Sequence, residues 1–190
     1  MRRLLTALLI VTAIATPAWA ASAQDDSALV QRRNEVREVT RDSLAALYEV
    51  NPTARIAVER AAGFAVFSTF GIKFFFAGGT TGKGVVVNNL THRDTFMKMV
   101  QVQAGLGFGA KKDRLIFVFE TQRALREFVD KGWEFGGQVG ATAMVADRGG
   151  LLSGAVSVSP GVYLYQLTET GLSASITLGG TKFFKDEELN

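Results

Sequence analysis

At Gly63 the hydrophobic period of the chain changes from helical to alternating, and the alternation recurs almost to the C-terminus, punctuated by glycine. That switch restricts the fold to helices followed by sheet. The clearest stretch is Thr95 to Gly109. Phe96, Val100, Val102, Ala104, Leu106 and Phe108 fall on one face, interrupted only by Lys98, and the other face carries Gln101, Gln103, Gly105, Gly107 and Gly109. One-sided alternation of this length predicts a half-buried antiparallel strand with its apolar face inward. The glycines mark bends or close approaches. Phe64–Ser68 and Lys73–Ala77 read as further strands, and Leu115–Phe119, apolar on both faces, reads as a central one. The pattern returns at Val139, Ala141, Ala143 and Val145, breaks at an expected turn over Asp147–Gly150, and returns again at Leu172, Ala174, Ile176 and Leu178. Many such strands with glycine breaks predict a strongly curved sheet or a closed barrel, which also removes exposed edges.

Before Gly63 the chain reads as helix. Over Asp25–Val50 the residues Leu29, Val30, Val36, Val39, Leu44, Leu47 and Val50 share one arc, and Asp26 or Ser27 can cap the start. The other face mixes Arg32, Arg37 and Arg41 with Glu35, Glu38 and Asp42. A membrane-surface helix carries a more uniformly basic face, so docking on the protein's own sheet is the better fit. Asn51 and Pro52 end this helix and start another over Thr53–Ala62, with Gly63 as its expected left-handed stop. Thr121 caps a short helix through Lys131, with Leu125, Phe128 and Val129 inward and Gly132 after its end. The predicted fold is therefore α+β: N-terminal helices packed on a strongly curved, largely antiparallel, glycine-rich sheet or barrel, with a short inserted helix.

The first residues read as a targeting segment. Met1, Arg2 and Arg3 are followed by an uncharged, mostly apolar run to Thr16, then by the small-x-small pattern Ala18-Trp19-Ala20, with Ala21-Ser22-Ala23 as a second site. The apolar run is shorter than the roughly 20 residues of a membrane span. A cleaved bacterial secretory signal over residues 1–23 is the leading reading and an uncleaved anchor the alternative. The predicted location is the periplasm or cell envelope, peripheral to a membrane. With no cysteine, the rest of the chain is held by its core, without disulfides or an acyl anchor.

The whole sequence is weakly basic, and Arg2 and Arg3 account for two of its three excess positive charges. The remainder is unevenly spread. Lys73, Lys83, Arg93, Lys98, Lys111, Lys112 and Arg114 face only Asp94 and Asp113 between Gly71 and Arg114. A positive middle on a nearly neutral chain suits an anionic surface better than nucleic acid; an ordinary set of solvated lysines is the alternative.

Chemistry has few places to sit. Phe74 to Val87 resembles a phosphate-binding loop at first sight. However, Ala77 stands where that motif needs its first glycine, Gly84 where it needs a hydroxyl, and three valines follow where a helix should open. The stretch reads instead as a hairpin of the sheet. Gly105, Gly107 and Gly109 lie inside an alternating strand, not before a helix, so no dinucleotide fingerprint is present. His92 is the single histidine and sits in an expected turn beside Arg93; with no cysteine, the common zinc sets are excluded. The acidic tail Asp186-Glu187-Glu188 reads as solvated. No catalytic residue, metal or cofactor is expected.

Gly63-Phe64-Ala65-Val66-Phe67, then Gly78, Gly79, Gly82, Gly84 and Val85, resemble the SYLF lipid-binding domain family. So do Gly105, Gly107 and Gly109, the strand-to-helix step from Asp113 through Phe128, and Pro160-Gly161-Val162-Tyr163 with Gly171, Leu172 and Gly179. The resemblance covers about Val50 to Lys182 and makes residues 24–190 a single SYLF-like domain. Ser68 departs from a common proline, and Thr91–Met99 lacks a Trp-Ser-x-Pro-like segment. The resemblance implies binding of phospholipid with anionic headgroups, at a membrane surface, and no enzymatic activity. From charge and position, Lys73, Lys83, Lys111, Lys112 and Arg114 are the candidate phosphate contacts, with Phe74 and Phe76 as candidate interfacial aromatics. A structural or partner-binding envelope protein without lipid specificity is the alternative.

Overall fold

The computed structural model describes residues 18–135, 152–173, 176 and 178–190, with the side chains of 18–24, 73–77 and 103–109 outside the description. The alternating stretch at Val139–Val145 and the turn at Asp147–Gly150 lie outside the described residues.

Two helices lead: α1, Ala18–Val50, and α2, Thr53–Arg60. α1 runs unbroken past Asp26 and Ser27, so neither starts it. The alanine-rich segment before them favours continuation over a cap. Two very long strands follow, β1 over Gly63–Asn88 and β2 over Arg93–Phe119. They pair antiparallel from Asn88 opposite Arg93 to Gly63 opposite Phe119. Next come α3, Gln122–Lys131; β3, Trp133–Phe135; β4, Val156–Ser159; β5, Val162–Thr168; β6, Gly171–Leu172; and β7, Thr181–Lys185. Along its second edge β2 receives β7 at Met97–Gln101 and β5 at Arg114–Phe119. The result is a curled antiparallel sheet in the order β3-β7-β2-β5-β4, with β1 on β2 and β6 on β5. The α+β expectation holds.

The turn of the long hairpin is at 89–92, not in the Phe74–Val87 stretch. Asn88 Oδ1 accepts from the backbone N–H of Leu90 (3.0 Å) and of Thr91 (3.1 Å), and His92 adopts φ 52°. None of Gly78, Gly79, Gly82 or Gly84 has a positive φ. They stay within β1, and the expected hairpin there is corrected to continuous strand. The glycines serve close approach instead, because the curl brings the two halves of β1 together. A Cβ on Gly84 would collide with the Val66 carbonyl oxygen and stand 2.5 Å from Phe67 Cδ1. Gly63 behaves the same way against the Val87 carbonyl oxygen and Leu125. It is therefore the first residue of β1, not the left-handed stop of α2, which ends at Ala61 in extended backbone.

A register shift between Phe75 and Ala77 resets which residues of β1 face inward. Ala65 and Phe67 do so before it, and Val86 after it. β2 keeps Met97, Met99, Leu115, Phe117 and Phe119 inward throughout. Inside the curl the rings of Phe67 and Phe183 meet edge-on at 4.9 Å, and Phe117 and Phe128 lie 5.5 Å apart. Thr121 caps α3 by accepting from Ala124 N–H, and Leu125 and Phe128 are buried as expected. Leu115–Phe119 is wholly buried, as a central strand must be.

Part of the outer face is covered by α1 and α2. Leu47, with Ala54 and Val58 of α2, packs on Val66, Ile116, Val118, Tyr163 and Tyr165. Leu29 and Val36 pack on Val85, Phe96 and Leu189. Among the described residues no helix is long and apolar enough to cross a membrane.

Candidate functional site

Every even-numbered residue of β2 from Phe96 to Val102 points to the outer face, and α1 covers only part of it. Phe96 is buried beneath the helix, but Val100 is 40% and Val102 73% exposed, while Met97 and Met99 are buried inside. The expectation that the Phe96–Val102 face is the buried one is thus corrected. The helix footprint, not the alternation, decides which of these residues meet water. Phe70 and Ile72 of β1 are exposed nearby, at 44% and 55%.

Along α1 this uncovered region forms a groove of about 550 Å³. Its apolar walls include Val36 and Val39 of α1, Phe70 of β1, Val100 of β2 and Phe184 of β7. Lys83, Lys98 and Lys112 also line it, against Glu35 as its one acidic side chain. Lys83 lies opposite Lys98 in the hairpin, and Lys112 opposite Phe70. These cations differ in their partners. Lys98 Nζ is 2.9 Å from Asp186 Oδ1, whose side chain is 1% exposed, and 4.0 Å from Glu188. Lys83 and Lys112 are exposed and have no ion-pair partner among the described residues.

Of the residues predicted from sequence, Lys83 and Lys112 therefore meet at one groove. Lys111 does not: it is one residue out of phase, and its ammonium pairs with Asp113 at 2.9 Å. Arg114 shares the parity of Lys112 but lies farther along β2, opposite Ser68, and is half-buried outside the groove lining. The side chains of Lys73, Phe74 and Phe76 lie outside the described residues, although their backbone belongs to β1. Sequence reasoning missed Lys98 as a groove residue because it read as an interruption of an apolar face. It also missed Val36, Val39 and Phe184, since nothing local in the chain indicates that α1 and β7 converge on β1.

The expected solvated tail is corrected as well. Asp186 is buried, Glu188 accepts from Arg32 at 2.7 Å, Arg33 donates to the Leu189 carbonyl at 2.8 Å, and Leu189 is buried against Val85 and Phe96. Asn190 Nδ2 donates to the Phe96 carbonyl at 2.8 Å. The tail forms a turn that clasps α1 to the sheet, because the basic side of the helix faces it. The bond from Arg32 holds the Glu188 carboxyl below the ordinary carboxylate range.

Residues 100–190 match the family model described as Ysc84, Las17-binding protein actin regulator. The chain is also 30% identical over 162 residues to Beta cell expansion factor A of Aeromonas veronii. That alignment covers 84% of this chain and 59% of the relative, so the chain spans about three-fifths of that protein's length. SYLF (Ysc84) domains are binding and regulatory modules associated with lipid and with actin regulation. With its curled antiparallel sheet and leading helices, the chain is similar to the SYLF (Ysc84) family, whose model it matches over residues 100–190.

Proposed function

We propose that the protein is a non-enzymatic phospholipid-binding module of the bacterial envelope, recognising anionic headgroups through the basic outer face of its hairpin. The observation that carries this reading is the meeting of two lysines without an ion-pair partner among the described residues, Lys83 and Lys112, at one groove with apolar walls. Water solvates an isolated ammonium adequately, but apolar surface beside it favours a ligand with both an anionic and an apolar part. The N-terminal basic and apolar segment supports export to the envelope.

Each lysine near an anionic surface contributes about 1 kcal/mol. Removing both charges therefore costs about 2 kcal/mol, or about 30-fold in affinity at low salt. Flotation with phosphatidylglycerol against phosphatidylcholine vesicles tests this. Binding only to the anionic vesicles is expected, with the loss in Lys83→Gln/Lys112→Gln and weakening by salt. Equal binding to both vesicles, or none to either, refutes it.

A second reading has its own support. Phe70, Ile72, Val100 and Val102 are exposed large apolar residues on β1 and β2, and exposed apolar surface also marks protein partners. Recovery of a stoichiometric protein partner, with no lipid, favours that reading.

A further inference from the structure

The groove has more than charge: it has depth and a wall. α1 supplies Val36 and Val39 on one side and the sheet supplies Phe70 and Val100 on the other. Its volume of about 550 Å³ falls within the roughly 300–1,000 Å³ of small-molecule pockets, which are mostly apolar with a few placed polar groups. A flat surface that meets headgroups needs no such cleft. Resting on the lipid-binding reading above, we propose that the groove seats one acyl chain of an anionic phospholipid along α1, with the phosphate held by Lys83 and Lys112.

Three observations fix the occupant's chemistry. First, the polar lining is cationic in excess, with Glu35 as the one acidic group, so the polar end of the ligand is an anion. Second, Lys83 comes from β1 and Lys112 from β2, and neither is tied to a carboxylate among the described residues. Two separate point charges suit a phosphate, which offers several oxygens, better than a single hydrogen-bonded acceptor. Third, Val39, Phe70 and Val100 are 36%, 44% and 40% exposed, so the walls remain partly wet when the groove is empty. An alkyl chain laid there removes that apolar surface from water.

Lys98 takes a different part. Asp186, buried at 1% exposure, neutralises it at 2.9 Å, so it positions the groove wall and adds little net charge for the ligand.

Lysophosphatidylglycerol below its micelle concentration carries one chain and one phosphate and presents no membrane. Titration calorimetry with this monomer, and with glycerol 3-phosphate as the headgroup alone, separates chain binding from headgroup binding. Saturable binding of the lysolipid, at least tenfold tighter than glycerol 3-phosphate, is expected. Val39→Trp, which fills the groove from α1 and leaves both lysines, should weaken the lysolipid at least tenfold and leave glycerol 3-phosphate unchanged. Val100→Trp fills it from the sheet and serves if the first variant unfolds. Lys83→Gln/Lys112→Gln should weaken both ligands. Equal affinity for the two ligands, or full lysolipid affinity in a folded groove-filled variant, overturns the proposal. Anionic vesicles that still float the wild-type protein in that case leave the headgroup reading standing. If the vesicles fail too, both fall.

Discussion

Gly84→Ala asks whether the glycine-threonine-lysine stretch is a turn or a place where two lengths of one strand touch. The added Cβ would overlap the Val66 carbonyl oxygen and lie 2.5 Å from Phe67 Cδ1 and 2.8 Å from its Cγ. Ordinary contact begins near 3.4 Å, so the ring must retreat by about 0.9 Å. Phe67 is fully buried and in ring contact with Phe117, Phe128 and Phe183, so it has no free direction. Overpacking of this kind costs roughly 1–3 kcal/mol, and a backbone obstacle places it in the upper half. For a chain of this size about 2 kcal/mol lowers Tm by roughly 4–8 °C. Gly79→Ala is the control: its Cβ would meet only the Gln101 carbonyl, at 3.9 Å, and its φ is not positive. That variant should be neutral, or more stable by up to about 1 kcal/mol through the unfolded chain. Urea denaturation of the pair decides. Equal stabilities, or a larger loss at Gly79, would mean that the stretch turns and that the strand contact is wrong.

Phe128→Ala should cost about 3–5 kcal/mol in urea denaturation, since its ring is fully buried among Phe117, Phe119 and Phe183; a loss under 1 kcal/mol refutes the packing. The Arg32–Glu188 pair gives a pH signature. The folded carboxyl is held low, so its contribution is present above the ordinary carboxylate value of 4.5 and disappears as pH falls through the depressed folded value. The stability gap between the wild type and Glu188→Gln should therefore be largest near neutral pH and close on acidification. A gap that widens toward pH 3 contradicts the clasp. In alkaline titration followed by phenolate absorbance, Tyr165, pushed up to about 12 by burial, should ionise well after an ordinary phenol. Appearance of its phenolate absorbance near pH 10 would show that its site is wet.

Periodicity located the elements well and their partners poorly. The change at Gly63, the cap at Thr121 and the two-faced apolar run Leu115–Phe119 are local signals, and each appears where the chain announces it. The glycine cluster misled because a glycine needed for φ and a glycine needed for space look identical in sequence. Only the curl that brings Val66 to Gly84 separates them. Val100 and Val102 misled for a related reason. Alternation shows that two faces differ, but what α1 covers depends on where a helix more than fifty residues earlier crosses the sheet. The groove was half legible: the lysines stand out by charge, whereas its walls come from four elements with no common sequence signal.

The clasp at Asp186–Asn190 also sets an order of events. The long hairpin can zip from its turn at 89–92, since its first pairs are close in sequence. Its outer apolar residues Val85 and Phe96 are sealed by Leu189, about 90 residues later in the chain. Until that turn is in place, Val85 and Phe96 lack the cover of Leu189, and the Arg32–Glu188 and Arg33–Leu189 ties of α1 are unmade, whereas Arg37–Asp94 and the packing of Val36 already hold the helix to the hairpin. The last five residues therefore close a seam that the rest of the chain has already aligned.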